Sequence, residues 1–166
     1  SSRMGSDKGF IQFNNKPFIQ YSIEALKPLT SDIIIVSDYS QYDILGYKRI
    51  TDEIKNAGPV SGIYSGLVAS KTTYNLVLSC DIPLITTTVL QQLIDAIDVE
   101  SEIIQAKSSG KTMPLIALYK RDVKNTFKIS PSTPSKFLML FLINLLFLSL
   151  HMLRLIKLLC LNYERF

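Results

Sequence analysis

A three-layer α/β domain on a mostly parallel sheet is the fold this sequence predicts, and two observations carry it. Short apolar runs rich in Ile, Val and Leu, of strand length and suited to burial on both faces, alternate with amphipathic helical stretches. Two of the strand candidates also lead directly into acids, Asp52 and Asp81, at the strand ends where open α/β sheets bind ligands. With 166 residues, 47% of them apolar, the chain is long enough to close one real core.

Taken in order, the chain opens on a loop, Ser1-Ser2-Arg3-Met4-Gly5-Ser6-Asp7-Lys8-Gly9. Pro17 then sets a helix start, and Ile19, Ile23 and Leu26 recur at helical spacing until Pro28. Asp32 to Ser37 is a β-branched strand candidate, followed by polar residues with tyrosines at 39, 42 and 47. Lys48 to Thr51 is a short strand that delivers Asp52. Ala57 to Gly62 reads as a tight loop and Ile63 to Ser70 as the helix after it. Asn75 to Cys80 is a buried strand ending in Asp81-Ile82-Pro83, and Thr86 to Asp98 is a helix with Val89, Leu90, Leu93, Ile94 and Ile97 on one side. Glu102 to Ala106 and Met113 to Tyr119 are further strands, with a turn at Ser108-Ser109-Gly110.

From Ser130 the composition changes. After the breaker cluster Ser-Pro-Ser-Thr-Pro-Ser, Lys136 to Leu161 holds twelve leucines in twenty-six residues without one Gly, Ala, Val, Asp or Glu. The apolar run Phe137 to Leu153 is close to the shortest stretch that crosses a bilayer, so it reads as a buried core helix or as a membrane anchor, the anchor being the less favoured of the two. We therefore divide the chain at residue 128, with a tail over 129–166.

Charge excludes one class of partner. The net charge is +4, but Ser1 to Ser135 carries fourteen basic and thirteen acidic residues, so the surplus sits mostly in the tail. No basic stripe with interleaved aromatics is present, and nucleic acid is not expected as a partner. Cys80 and Cys160 have neither zinc-like spacing nor a disulfide framework, which suits a reducing, cytoplasmic setting. The single histidine, His151, lies in the apolar tail with no group near it in sequence to act with.

The opening loop carries the chemistry of phosphate binding. Small residues let backbone N–H groups approach phosphate oxygens, Arg3 offers a planar fork, and Lys8 adds a compact positive charge. A solvated N-terminus would read the same way. Asp81 is likewise either a hard oxygen ligand for Mg²⁺ or a cap before Pro83 worth about 1 kcal/mol.

Order separates these readings. The run Ser1 to Lys8, then Lys16-Pro17, Asp52, Gly58-Pro59-Val60-Ser61-Gly62-Ile63 and Cys80-Asp81-Ile82-Pro83, resembles the molybdenum cofactor guanylyltransferase family and its nucleotidyltransferase relatives. In that family the loop reads Leu-Ala-Gly-Gly-x-Ser-Ser-Arg-Met-Gly-x-Asp-Lys, and the chain begins inside it, so the first strand of the Rossmann-like nucleotidyltransferase fold is expected to be missing here. The resemblance implies catalytic roles for Arg3 and Lys8, nucleotide contacts from Lys8, Asp52 and Asp81, and Mg²⁺ on Asp81. It implies attack by the terminal phosphate of molybdopterin on the α-phosphorus of GTP, with pyrophosphate released. Three departures stand out. Met113 occupies the place of a usual His, no Asn occurs between Ile33 and Tyr39, and the family's Gly-Glu-Arg-Arg and Asn-x-Asn-Thr segments are absent, as a shifted reading frame after about Lys128 would produce. A cytidylyltransferase and a non-catalytic nucleotide-binding remnant are the competing readings.

Overall fold

The computed structural model describes residues 7–54, 58–108 and 110–126, together with the backbone of 156–160. Arg3, the apolar run at 137–153 and His151 lie outside the described residues. The chain begins with a 3-10 turn at Lys8–Phe10, then the hairpin strands β1 (Gln12–Phe13) and β2 (Lys16–Pro17). Asn14 and Asn15 both take positive φ, 48° and 60°, which lets two residues close the hairpin. Helix α1 (Phe18–Leu26) follows, then β3 (Ile34–Val36), a 3-10 segment (Ser40–Leu45) and β4 (Lys48–Ile50). Next come α2 (Pro59–Ala69), β5 (Tyr74–Leu78), α3 (Thr87–Asp95), β6 (Ile103–Ser108), β7 (Lys111–Lys120), a 3-10 turn at Arg121–Asn125 and β8 (Ile156–Cys160).

Side-chain alternation along β6 and β7 produces three layers. Ile103, Ala117 and Tyr119 face α2, where Val60, Ile63 and Leu67 meet them. Their neighbours Ile104, Ile116 and Leu118 point to the other face and pack on Ala25 of α1 and on Leu90 and Leu93 of α3. The parallel pair β3–β4 repeats the arrangement. Ile35 packs with Ile19 and Ile23 of α1, whereas Val36 lies against Gly62 and Gly66 of α2.

The sheet is mixed, which refines the expectation of a mostly parallel one. β3–β4 is a parallel pair of its own, and in the four-stranded sheet of order β5-β7-β6-β8 the β6–β8 pair is parallel while β7 runs antiparallel to both β5 and β6. The cause is chain length. Ser108 pairs with Lys111, which leaves two residues for the connection, whereas a parallel crossover needs a dozen or more. Helix α2 also begins earlier than the expected Ile63. Gly58 takes φ 69° and Pro59 supplies a pre-set φ at the first helical position, so the Gly-Pro pair starts the helix rather than a loop.

Two further expectations meet the structure at their edges. The tail contributes β8, paired in parallel with β6 from Ile103↔Ile156 to Lys107↔Cys160. Among the described residues no helix is long and apolar enough to cross a membrane.

Leu93 is fully buried between α3 and the sheet. Leu93→Ala is expected to cost about 2–5 kcal/mol of stability, read as a lower urea midpoint at unchanged slope. A loss under about 1 kcal/mol would show that this face is not close-packed.

Candidate active site

Two segments far apart in sequence meet at the C-terminal rim of the sheet. β5 ends at Leu78, and the chain leaves it as Ser79-Cys80-Asp81, with the Ser79 amide still bonded to the Leu115 carbonyl. The Ser22 hydroxyl of α1 donates to the Ser79 carbonyl, which ties the exit to a helix. The Ser79 hydroxyl in turn donates to Asp81 Oδ1. Asp81 Oδ2 faces Lys8, whose ammonium lies 3.2 Å away across 73 positions of sequence.

Burial opposes ionisation of Asp81, but the Ser79 hydroxyl and the Lys8 ammonium outweigh it and hold the carboxyl below its ordinary value. The two side chains remain 49% and 36% exposed. Water screens such a pair, so it contributes at most about 1 kcal/mol to stability. Its value is positional: it presents an anchored cation and an anchored carboxylate side by side.

Lys8 owes its place to its neighbours. Asp7 caps the first turn, its Oδ1 accepting from the Gly9 amide at 3.1 Å. The same oxygen accepts from the Tyr42 hydroxyl at 2.7 Å, and Oδ2 accepts from Gln41 at 3.3 Å. Tyr42 is 4% exposed, packed among Ile19, Ile23 and Ile35, with its ring 4.8 Å from that of Phe10. Burial first, and then Asp7, push its phenol well above the usual tyrosine range, so it is a permanent donor here. Sequence reasoning missed Tyr42, Asp7 and Ser79. The tyrosine at 42 was the one visible signal, a large ring in an otherwise polar stretch.

Asp52 lies two residues after β4. Its amide is donated to Asp38 Oδ1 at 3.3 Å. Its own Oδ1 is buried without a hydrogen-bond partner among the described residues, the neighbouring Ser61 hydroxyl being donated to the Ile54 carbonyl at 2.7 Å. Burial and then the negative Asp38 raise the Asp52 carboxyl above its ordinary value, with Ser61 opposing. A Cβ on Gly62 would stand 3.6 Å from Asp52 Oδ1, so α2 starts directly beside this carboxylate.

Of the residues singled out from sequence, Lys8 and Asp81 are thus brought into contact. Asp52, beyond β4 of the two-stranded sheet, bonds neither of them. Arg3 is outside the described residues. Cys80 is a free, largely buried thiol, pushed up by burial and then by Asp81. Met113, which stands where a His was expected, pairs with Ala106 in the β6–β7 ladder and packs on the α1–α3 side of the core.

Residues 1–129 match the family model of the MobA-like NTP transferase domain. The chain belongs to that family. Among curated relatives, the probable molybdenum cofactor guanylyltransferase of Flavobacterium johnsoniae is 45% identical over 123 residues, which is 74% of this chain. The chain spans 65% of that relative's length. Solved structures give the fold. The molybdopterin-guanine dinucleotide biosynthesis protein A of Archaeoglobus fulgidus aligns at a TM-score of 0.63 and 19% identity, over 95% of this chain and 77% of the other. A cytidylyltransferase of Leptospira borgpetersenii aligns at 0.62 and 11%, over 96% and 73%. The three-layer architecture of this MobA-like domain is therefore that of a nucleotidyltransferase.

The buried carboxylate of the MobA-like domain makes a pH-dependent prediction. The folded Asp52 carboxyl is raised, so the stabilising protonated form is present in full below the unfolded value and is lost as pH rises through the folded one. At neutral pH the charge is a net cost. Asp52→Asn is expected to melt higher than the parent at pH 7, with the advantage shrinking below about pH 4. A lower melting temperature at pH 7 would mean that the carboxylate is a stabilising group.

Proposed function

We propose that this chain transfers GMP from GTP to the terminal phosphate of a molybdopterin-type acceptor, releasing pyrophosphate. The observation that carries the reading is the meeting of Lys8 with Asp81 at the sheet rim, within the family's own order of motifs. The name of the Flavobacterium johnsoniae relative supports GTP and a molybdenum cofactor as the substrates.

The chemistry asks little of the protein in proton transfer. The acceptor phosphate is already an anion, so its oxygen attacks the α-phosphorus of GTP directly. One P–O bond forms there as the bond to the bridging oxygen of the β-phosphate breaks, and the electron pair leaves with pyrophosphate. The site must align two anions and neutralise the charge that builds between them. Lys8 faces that charge with an ammonium held in place by the turn that carries it. Arg3 would extend the grip along the triphosphate with its planar fork.

Asp52 stands beside the start of α2, where its carboxylate would contribute a contact to the nucleotide. Asp81 is fitted to hold Mg²⁺. It is a partly exposed carboxylate already kept ionised, and among the described residues no third acidic, His or Cys ligand gathers beside it. Mg²⁺ is commonly held by one or two carboxylates with substrate phosphates, so this donor set suits an ion that arrives with the nucleotide. Bound there, it would offset charge across the α- and β-phosphates.

In the full chain, Lys8→Ala and Asp81→Ala are each expected to lower guanylyl transfer by roughly 100-fold or more. Melting temperatures should barely move, because the exposed pair contributes so little to stability. Undiminished turnover in both variants would overturn the roles, and faster transfer from CTP than from GTP would overturn the choice of nucleotide.

A further inference from the structure

The contact between the Ser40–Leu45 segment and the first turn is more elaborate than a helix cap requires. A cap needs one acceptor for one backbone N–H. Asp7 instead receives three donors, from Gly9, Tyr42 and Gln41. Two of them come from a segment more than thirty positions away. The residue after Lys8 is shaped for the same contact: a Cβ on Gly9 would stand 2.0 Å from the Tyr42 hydroxyl oxygen. That distance excludes any larger residue unless Tyr42 withdraws. Lys8 is therefore pinned on both sides, through Asp7 before it and Gly9 after it.

The cluster that holds Tyr42 also reaches the other half of the site. Cys80, the residue immediately before Asp81, packs against the cluster of Ile19, Ile23, Ile35 and Tyr42. Packing alone does not call for a hydroxyl here, since the ring already fills the space among Ile19, Ile23, Ile35 and Phe10.

We propose that Tyr42 is a positioning residue for nucleotide transfer, its hydroxyl clamping Asp7 so that the first turn carries Lys8 to a fixed place beside Asp81. The assignment rests on the transferase reading above and adds to it a residue that touches neither substrate nor metal.

The test uses Tyr42→Phe in the full chain, which keeps the ring and removes the donor. Native-state amide exchange at Gly9 and Phe10 is expected to rise about tenfold, while β5 and β7 stay as protected as in the parent. GTP affinity, read by titration with Mg²⁺ present, is expected to fall about tenfold in the parent background and not at all in the Lys8→Ala background. Asp7→Ala, which removes the acceptor and leaves Tyr42 in its pocket, should reproduce both changes if Tyr42→Phe proves too unstable to study.

Unchanged exchange at the first turn would overturn the clamp. Equal weakening of GTP binding with and without Lys8 would show that Tyr42 acts by some other route, and would overturn the proposal as well. A parent chain that binds no GTP would remove the transferase reading and Tyr42's role with it. The exchange result, which needs no nucleotide, tells that failure apart from failure of the clamp itself.

Discussion

Burial of β7 on both faces is the constraint on which the rest of this molecule depends. Ile116, Ala117, Leu118 and Tyr119 are consecutive and almost fully enclosed, so neither face of the strand can be left to water. Each buried apolar side chain is worth about 1.5–3 kcal/mol, a gain realised only when α2 covers one face and α1 with α3 covers the other. Those helices in turn fix the rim. α1 supplies the hydroxyl that holds the exit from β5, and α2 brings its first turn against Asp52. The site is therefore a consequence of how a two-faced strand is covered.

Two carboxylates at strand ends are treated in opposite ways. Asp81 is kept ionised by Ser79 and Lys8 against the effect of burial. Asp52 is given a buried oxygen that meets no donor among the described residues and a like-charged neighbour, which Ser61 offsets only in part. A protein selected only for stability would have placed an amide or an apolar residue there, since an unsatisfied buried polar group costs about 1–3 kcal/mol.

Legibility in the sequence followed the range of the interactions involved. Helices α1 and α3 were visible because Ile19 and Ile23, or Leu90 and Leu93, repeat at helical spacing within one segment. Strands β3 and β5 were visible as short apolar runs. Lys8 and Asp81 were found because their local motifs occur in the family's order, and the fold then brought them together. The direction of β7 was implicit in its two-residue link to β6, although its run of apolar residues looks the same in either direction. The start of α2 was hidden because Gly-Pro is a turn signal and a helix-start signal alike. Tyr42 was the hardest to see. A single aromatic in a polar stretch has no periodicity, and its partner Asp7 lies 35 positions away.

The same difference in range explains how the site divides its labour. A lysine on a loop has long, free rotamers, and fixing it costs up to about 2 kcal/mol in side-chain entropy alone. The ion pair with Asp81 cannot supply that from a solvated position. Order has to come from the backbone beneath the lysine, through Asp7 before it and Gly9 after it. The interior therefore sends a segment out to it. The Ser40–Leu45 turn is anchored in the core through Tyr42 and closed by Gly46 in the left-handed region, so it can hold Asp7 without moving itself. Rigidity built into the core at β3 is in this way lent to a residue that is itself exposed.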